Sequence, residues 1–261
     1  MTPGAAATPG AERPPDDAER QRAPAASQLG TGEVRVYCAA IASPWAQTAR
    51  DLLTEEDLAP LSALCRERRR AEYSTSRALL RFALQSCTGR AARSHRIRIA
   101  STGKPECIDG PAVSVSHSGN VAACAVGTLG QLGLDVEIPS PRRSTAAIAQ
   151  HYFTPAENEW LRGRADDAFY MLWVLKEAYL KAGGAGLAGG LHSLECRIDG
   201  RTIVRLAPGA GDAPMLALYR FGAGFLALAT VGHGFSSDRT TFVNPPDSGP
   251  LPPVRLVASS A

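Results

Sequence analysis

Residues 166–181, DDAFYMLWVLKEAYLK, constrain the fold more than any other stretch of the chain. Phe169, Tyr170, Met171, Leu172, Trp173, Val174, Leu175, Ala178, Tyr179 and Leu180 point in nearly every direction around a helix, so the spacing predicts a helix enclosed by other elements. Acids in its first turn, Lys181 in its last and Gly183-Gly184 after it fit the helix dipole and a glycine stop. Yet Lys176, Glu177 and Lys181 are threaded through it. A charge buried without a partner is strongly unfavourable, so the enclosing elements must bring counter-charges or something charged must bind.

The elements that could enclose it recur in one order. VRVYCAAI (34–41) reads as a strand, and TEED opens a helical region that reaches about residue 87 as two helices or one bent one. HRIRIA, AVSVS and VAACAVG have strand character, with HSGN as a hairpin turn, and LGLDVEI follows as another strand. Thr154, Pro155 and Glu157 match an N-cap, a first-turn proline and a capping-box acid, so a short helix starts there, before the enclosed one. HSLECRI, TIVRL, MLALYR and FLALATV are four more strands. Strand, helices and strands, twice over, predict an α+β protein of two similar halves, residues 33–132 and 133–234, in pseudo-twofold relation about a cleft. The halves share element order and no evident sequence identity. Residues 1–32 and 235–261, rich in Pro and Gly, read as disordered tails.

Composition excludes some functions. No apolar run approaches the roughly 20 residues that span a bilayer, and no apolar signal core opens the chain, so a cytoplasmic protein without a membrane is expected. The six cysteines lack metal-ligand spacing and read as reduced core residues. A net charge of +3 is too small to imply nucleic acid, and the cluster Arg66, Arg68, Arg69, Arg70 reads first as a solvated helix face. Of 28 Lys and Arg residues only three are lysines, Lys104, Lys176 and Lys181. An ammonium is compact and rotatable where a guanidinium is a rigid fork, so these three are candidates for places a fork would not fit.

Three acids could carry chemistry. Alternation on a strand puts Asp135 and Glu137 on one face, with Leu134, Val136 and Ile138 on the other. The plain alternative is an edge strand turning acids to water. Glu177 lies on a helical stripe with Trp173 and Lys181, where the plain alternative is an i,i+4 ion pair worth little. Two strand carboxylates and one helix carboxylate, all hard oxygen donors, would suit Mg²⁺ held together with substrate phosphate. GKP (103–105), SHSGN (116–120) and the arginines of 66–77 offer phosphate contacts.

In order, GKP, SHS, GLDVE, FTPAE and WVLKEAYLKAGGAGL closely resemble the Sfp-type 4′-phosphopantetheinyl transferases of the holo-carrier-protein synthase superfamily. The resemblance covers residues 33–231 and is sharpest over 103–187. It implies transfer of the phosphopantetheine arm of coenzyme A to a serine of an apo acyl or peptidyl carrier protein, with release of 3′,5′-ADP. It further implies Asp135, Glu137 and Glu177 as Mg²⁺ ligands, and Lys104, Pro105, Ser116, His117 and Arg77 as coenzyme A contacts. Glu177 is the candidate general base, directly or through water, and the resemblance implies Lys181 as the lysine that reaches the phosphates. Arg66 and Arg69 are the candidates for the 3′-phosphate, with Arg68 and Arg70 as alternatives. Ser114 stands where the family often has Asn, and Ala78 where it often has Thr, which implies adjusted hydrogen bonding. A self-contained monomer is expected. A different Mg²⁺-dependent enzyme of nucleotide pyrophosphates is the alternative enzyme, and a nucleic-acid module built on Arg66–Arg70 the alternative of another class.

Overall fold

A computed structural model describes residues 28–260 apart from 129, 142, 185–189, 207–213, 232–234 and 251. The first half contains β1 (Val34–Ala40), α1 (Pro44–Thr48), α2 (Glu55–Leu58), α3 (Glu67–Thr88), β2 (Ile97–Ile99), β3 (Pro105–Cys107), β4 (Ala112–Ser118) and β5 (Val121–Gly127). The second contains β6 (Gln131–Glu137), α4 (Thr145–Tyr152), α5 (Pro155–Leu161), α6 (Asp166–Gly183), β7 (Cys196–Asp199), β8 (Thr202–Arg205), β9 (Met215–Phe221) and β10 (Gly224–Val231). Two further strands close the chain, β11 (Thr240–Val243) and β12 (Val254–Ser259). The α+β class expected from the sequence holds.

The strands form a four-stranded sheet, β11-β1-β5-β4, a six-stranded sheet, β6-β10-β9-β12-β8-β7, and the separate pair β2-β3. Strand alternation explains the layers. Tyr37 and Ala39 of β1 and Cys124 and Val126 of β5 pack with Leu79, Leu80 and Ala83 of α3. The opposite faces, Val36, Cys38, Ala123 and Ala125, share a core with Leu134 and Val136 of β6 and Leu226 and Leu228 of β10. The outer face of the larger sheet, with Phe225, Ala227 and Ala229, buries α6 through Leu172, Leu175 and Ala178. The helix is enclosed as its composition demanded.

The capping box expected at Thr154 forms with Glu157 on α5, and α2 carries another, made by Thr54 and Asp57. Helix α6 ends against Gly184, whose φ of 68° is left-handed and open to glycine without strain. The hairpin turn after β4 is tighter than HSGN, because β4 runs through His117 and Ser118 and leaves only Gly119 and Asn120 to turn.

The carboxyl-terminal tail corrects the expectation of disorder over 235–261. β11 pairs in parallel with β1, and β12 inserts between β9 and β8. Short apolar runs, TTFV and VRLVAS, supply the strands, and the proline-rich connection is held by Ser248 O accepting from Ala40 N and Asp247 O from Trp45 N. The boundary drawn at 132/133 falls inside β6, and β11 joins the sheet of the first half. At the other end, residues 1–27 lie outside the described residues, whereas residues 28–32 are anchored: Gly32 N donates to Thr128 Oγ1 at 3.2 Å, and Arg239 donates to Thr31 O at 2.8 Å.

Candidate active site

The site begins with a glycine. Gly133 of β6 lies on the strand face toward α6, and a Cβ there would stand 1.8 Å from Ala178 O. Only glycine lets helix and strand approach this closely, and the approach brings Glu177 and Lys181 beside the acids two and four residues along β6. Gly133, Asp135 and Glu137 share that face, because Leu132, Leu134 and Val136 point into the core between the sheets.

A row of serines joins β4 to β6. Ser114, Ser116 and Ser118 alternate on one face of β4. Ser114 Oγ accepts from Leu134 N at 2.9 Å, and Ser118 Oγ accepts from Ile138 N at 3.0 Å. Ser116 donates to Asp135 Oδ1 at 2.7 Å, and Ser118 donates to Glu137 Oε2 at 2.8 Å. Ser114, where the resembled family often carries Asn, is thus a buried tie between the strands.

Each β6 acid has its own cation. Asp135 is buried, and its Oδ1 also accepts from Lys181 Nζ at 2.6 Å, while Lys181 reaches Ser116 Oγ at 3.0 Å. Glu137 Oε1 accepts from Arg143 at 2.9 Å, and the Arg143 guanidinium also lies 5.6 Å over the Trp173 ring. Glu177 is half-buried and makes no hydrogen bond among the described residues. Its carboxyl pKa is held above the ordinary value, first by desolvation and then by Asp135 and Glu137, with Lys181 and Arg143 opposing. The three acids therefore feel one another. The i,i+4 partnership of Glu177 with Lys181 does not form; Lys181 goes to Asp135.

As metal donors the acids differ. Asp135 Oδ2 is buried with no partner, and with Glu177 it offers hard oxygens of the kind Mg²⁺ takes. Glu137 has both oxygens engaged. Among the described residues no group of three His, Cys, Asp or Glu side chains gathers closely enough to hold a metal ion.

The other face of β4 fronts a cavity of ≈ 320 Å³ against α3, lined among others by Arg69, Tyr73, Ser76, Arg77, Pro105 and His117. His117 is exposed at its rim. Desolvation lowers the His117 pKa most; Glu72 and Asp135 oppose that shift, whereas Arg69 and Lys181 reinforce it, so the imidazole senses both cavity and acid cluster. Arg77 stacks over Tyr73 and donates to its hydroxyl at 3.4 Å.

Some expected contacts lie elsewhere. Arg66 is the exposed N-cap residue of α3, away from the cavity lining. Arg68 and Arg69 both pair with Glu72, at 2.9 and 3.2 Å, which makes part of the arginine cluster a helix-face ion network. Gly103 and Pro105 line the cavity, but the Lys104 ammonium turns away and donates to Ala182 O at 3.1 Å. Lys176 is fully buried, bonded to both Glu157 oxygens at 2.6 and 2.8 Å and to Leu194 O. Three acceptors around one small head explain why a guanidinium fork is absent there.

Sequence reasoning named Ser118 only within SHSGN and missed its tie to Glu137, and it missed Glu72, Ser76 and Arg143. The first two had signals: Ser118 shares the alternation of Ser116, and Glu72 follows Arg68 by one helical turn. Ser76, whose buried Oγ has no partner at the cavity wall, and Arg143, whose role depends on a long-range partner and a ring, had none.

Residues 131–219 match the profile of the 4′-phosphopantetheinyl transferase superfamily. The chain is 33% identical over 145 residues to the 4′-phosphopantetheinyl transferase HetI of Nostoc sp., a match that covers 52% of this chain and 61% of HetI. It is 29% identical over 150 residues to the 4′-phosphopantetheinyl transferase Sfp of Bacillus subtilis, covering 54% of this chain and 65% of Sfp. A further Bacillus subtilis 4′-phosphopantetheinyl transferase is 35% identical over 102 residues, 37% of this chain and 44% of its own length. The matched part thus spans less than two thirds of each relative. The likeness carried by the motifs is shown by both comparisons.

Proposed function

We propose that this chain transfers the 4′-phosphopantetheine group of coenzyme A to a serine hydroxyl of an apo carrier protein and releases 3′,5′-ADP, as a holo-[acyl-carrier-protein] synthase. The observation that carries the reading is the meeting of Asp135, Glu177, Lys181 and Ser116 beside a cavity walled by Arg69, Arg77, Ser76 and His117. The reading is supported by the basic and hydroxyl lining of the cavity, which would take the nucleotide end of coenzyme A and leave its pyrophosphate to the acid cluster.

The carrier hydroxyl oxygen forms a bond to the β-phosphorus as the bond from that phosphorus to the bridging oxygen breaks. The bridging oxygen leaves on 3′,5′-ADP, and the hydroxyl proton passes to Glu177. A carboxylate whose pKa is held up by burial is a better base for this step than an exposed one. Lys181 and Ser116 hold the departing phosphate and orient it for in-line displacement. His117 and the cavity arginines fix the nucleotide. Mg²⁺ would spread the charge that develops on the pyrophosphate oxygens. Asp135 and Glu177 would hold it with open oxygens, and Glu137 would join by exchanging Arg143 for the ion. A carrier protein and coenzyme A are then the partners. Among the described residues no helix is long and apolar enough to cross a bilayer.

Incubation with apo carrier protein, coenzyme A and Mg²⁺ tests the reading by intact mass. The carrier should gain one phosphopantetheine, and no gain with active partner reagents would sink the proposal. Lys181→Arg should lose most of the activity, because a fork does not fit between Ser116 and Asp135.

A further inference from the structure

All three lysines of this arginine-rich chain fasten one helix. Lys176 ties α6 to Glu157 of α5, Lys181 ties it to Asp135 of β6, and Lys104 reaches it from the loop between β2 and β3. The first two act from the helix outward. Lys104 acts from outside, 78 residues away, on the carbonyl of Ala182 in the last turn. We propose that Lys104 is a positioning residue, a strut that couples the nucleotide-cavity loop to the helix carrying Glu177 and Lys181, rather than a phosphate contact; this rests on the proposed function.

The chemistry of the helix end supports the strut. The last carbonyls of a helix have no partner within it and carry partial negative charge, so a cation there satisfies an acceptor and complements the dipole. Gly184 ends the helix one turn after Lys181, so support at Ala182 acts on the turn that aims the Lys181 ammonium. The loop itself is stiff: Gly103 N donates to Ala100 O at 2.8 Å and Ala100 N to Lys104 O at 2.9 Å. Gly103, in the left-handed region at φ 86°, and Pro105 flank Lys104 and line the cavity wall. A ligand pressing on that wall thus presses on a rigid turn whose one long side chain ends on α6. The Lys104 pKa is lowered by desolvation, in keeping with an ammonium folded into the protein and away from the cavity mouth.

The experiment compares wild type, Lys104→Met and Lys104→Arg in three measurements. These are amide hydrogen exchange in the last turn of α6, titration with 3′,5′-ADP, and steady-state transfer. Removing the ammonium should speed exchange in that turn by about twofold to fivefold, the range for a lost interaction at a helix terminus. Affinity for 3′,5′-ADP should stay within about twofold, and kcat should fall by about tenfold at an unchanged KM for coenzyme A, since misplacement of reacting groups acts on the chemical step. Lys104→Arg, which keeps a donor, should restore much of the protection and of kcat. Unchanged exchange in Lys104→Met overturns the strut, as does a loss of nucleotide affinity beyond about tenfold with α6 protection intact, the signature of a direct phosphate contact. If wild type transfers nothing, the functional reading fails, while exchange still decides whether the strut exists.

Discussion

Replacing Gly133 with alanine tests the contact from which the whole site is built. The new Cβ would lie 1.8 Å from Ala178 O and 2.5 Å from Ala182 N, where real Cβ atoms essentially never come within 3.0 Å. Both atoms are backbone, so no rotamer change relieves the clash, and α6 must withdraw from β6 by more than about 1 Å. Overpacking of this kind costs about 1–3 kcal/mol. For a chain of this size that lowers Tm by roughly 3–10 °C. The same displacement opens the 2.6 Å contact between Lys181 and Asp135, which spans the gap. A shift of about 1 Å at reacting groups costs on the order of 10²-fold in rate. Scanning fluorimetry and the carrier mass assay read the two effects, with Gly130→Ala as control, because a Cβ there meets nothing within 4 Å. A Gly133→Ala protein that melts with wild type and turns over at the wild-type rate would refute the argument that this glycine sets the site.

Glu177 gives a pH test. Its folded-state pKa is raised, so its contribution to stability is fully present below the ordinary carboxylate range and is lost as pH rises through the raised value. In metal-free buffer Glu177→Gln should therefore melt above wild type at neutral pH, and the gap should close on acidification; thermal scans from acid to neutral pH would show a constant gap if the reasoning fails. Lys176→Met strands the fully buried Glu157 carboxylate and should cost about 3–5 kcal/mol in chemical denaturation, with much of the loss recovered by adding Glu157→Gln. Equal stability of the single and double variants would remove the buried charge as the cause. Arg143→Ala frees Glu137 Oε1 and should lower the Mg²⁺ concentration needed for half-maximal transfer; a higher requirement would show that Arg143 supports the site instead.

Much of this protein is legible without coordinates because the signals are local. The enclosure of α6, the capping box at Thr154, the shared face of Asp135 and Glu137 and the glycine stop at Gly184 follow from spacings of two to four residues. The order of motifs carried the likeness to 4′-phosphopantetheinyl transferases. The carboxyl-terminal strands were illegible because TTFV and VRLVAS are short runs among prolines, stable only through sheet edges built some 200 and 40 residues earlier.

The sequence by itself determined which side chains would be forced together with charge unresolved: acids on one strand face, lysines on a buried helix. Tertiary structure alone decided the pairings, sending Lys181 to Asp135, Arg143 to Glu137, Lys176 to Glu157 and Lys104 to Ala182 O. Periodicity fixes the direction in which a side chain leaves its own element, a local property of backbone geometry. Its partner depends on which element comes to lie opposite, and for Lys181 that was set by the close approach of α6 to Gly133.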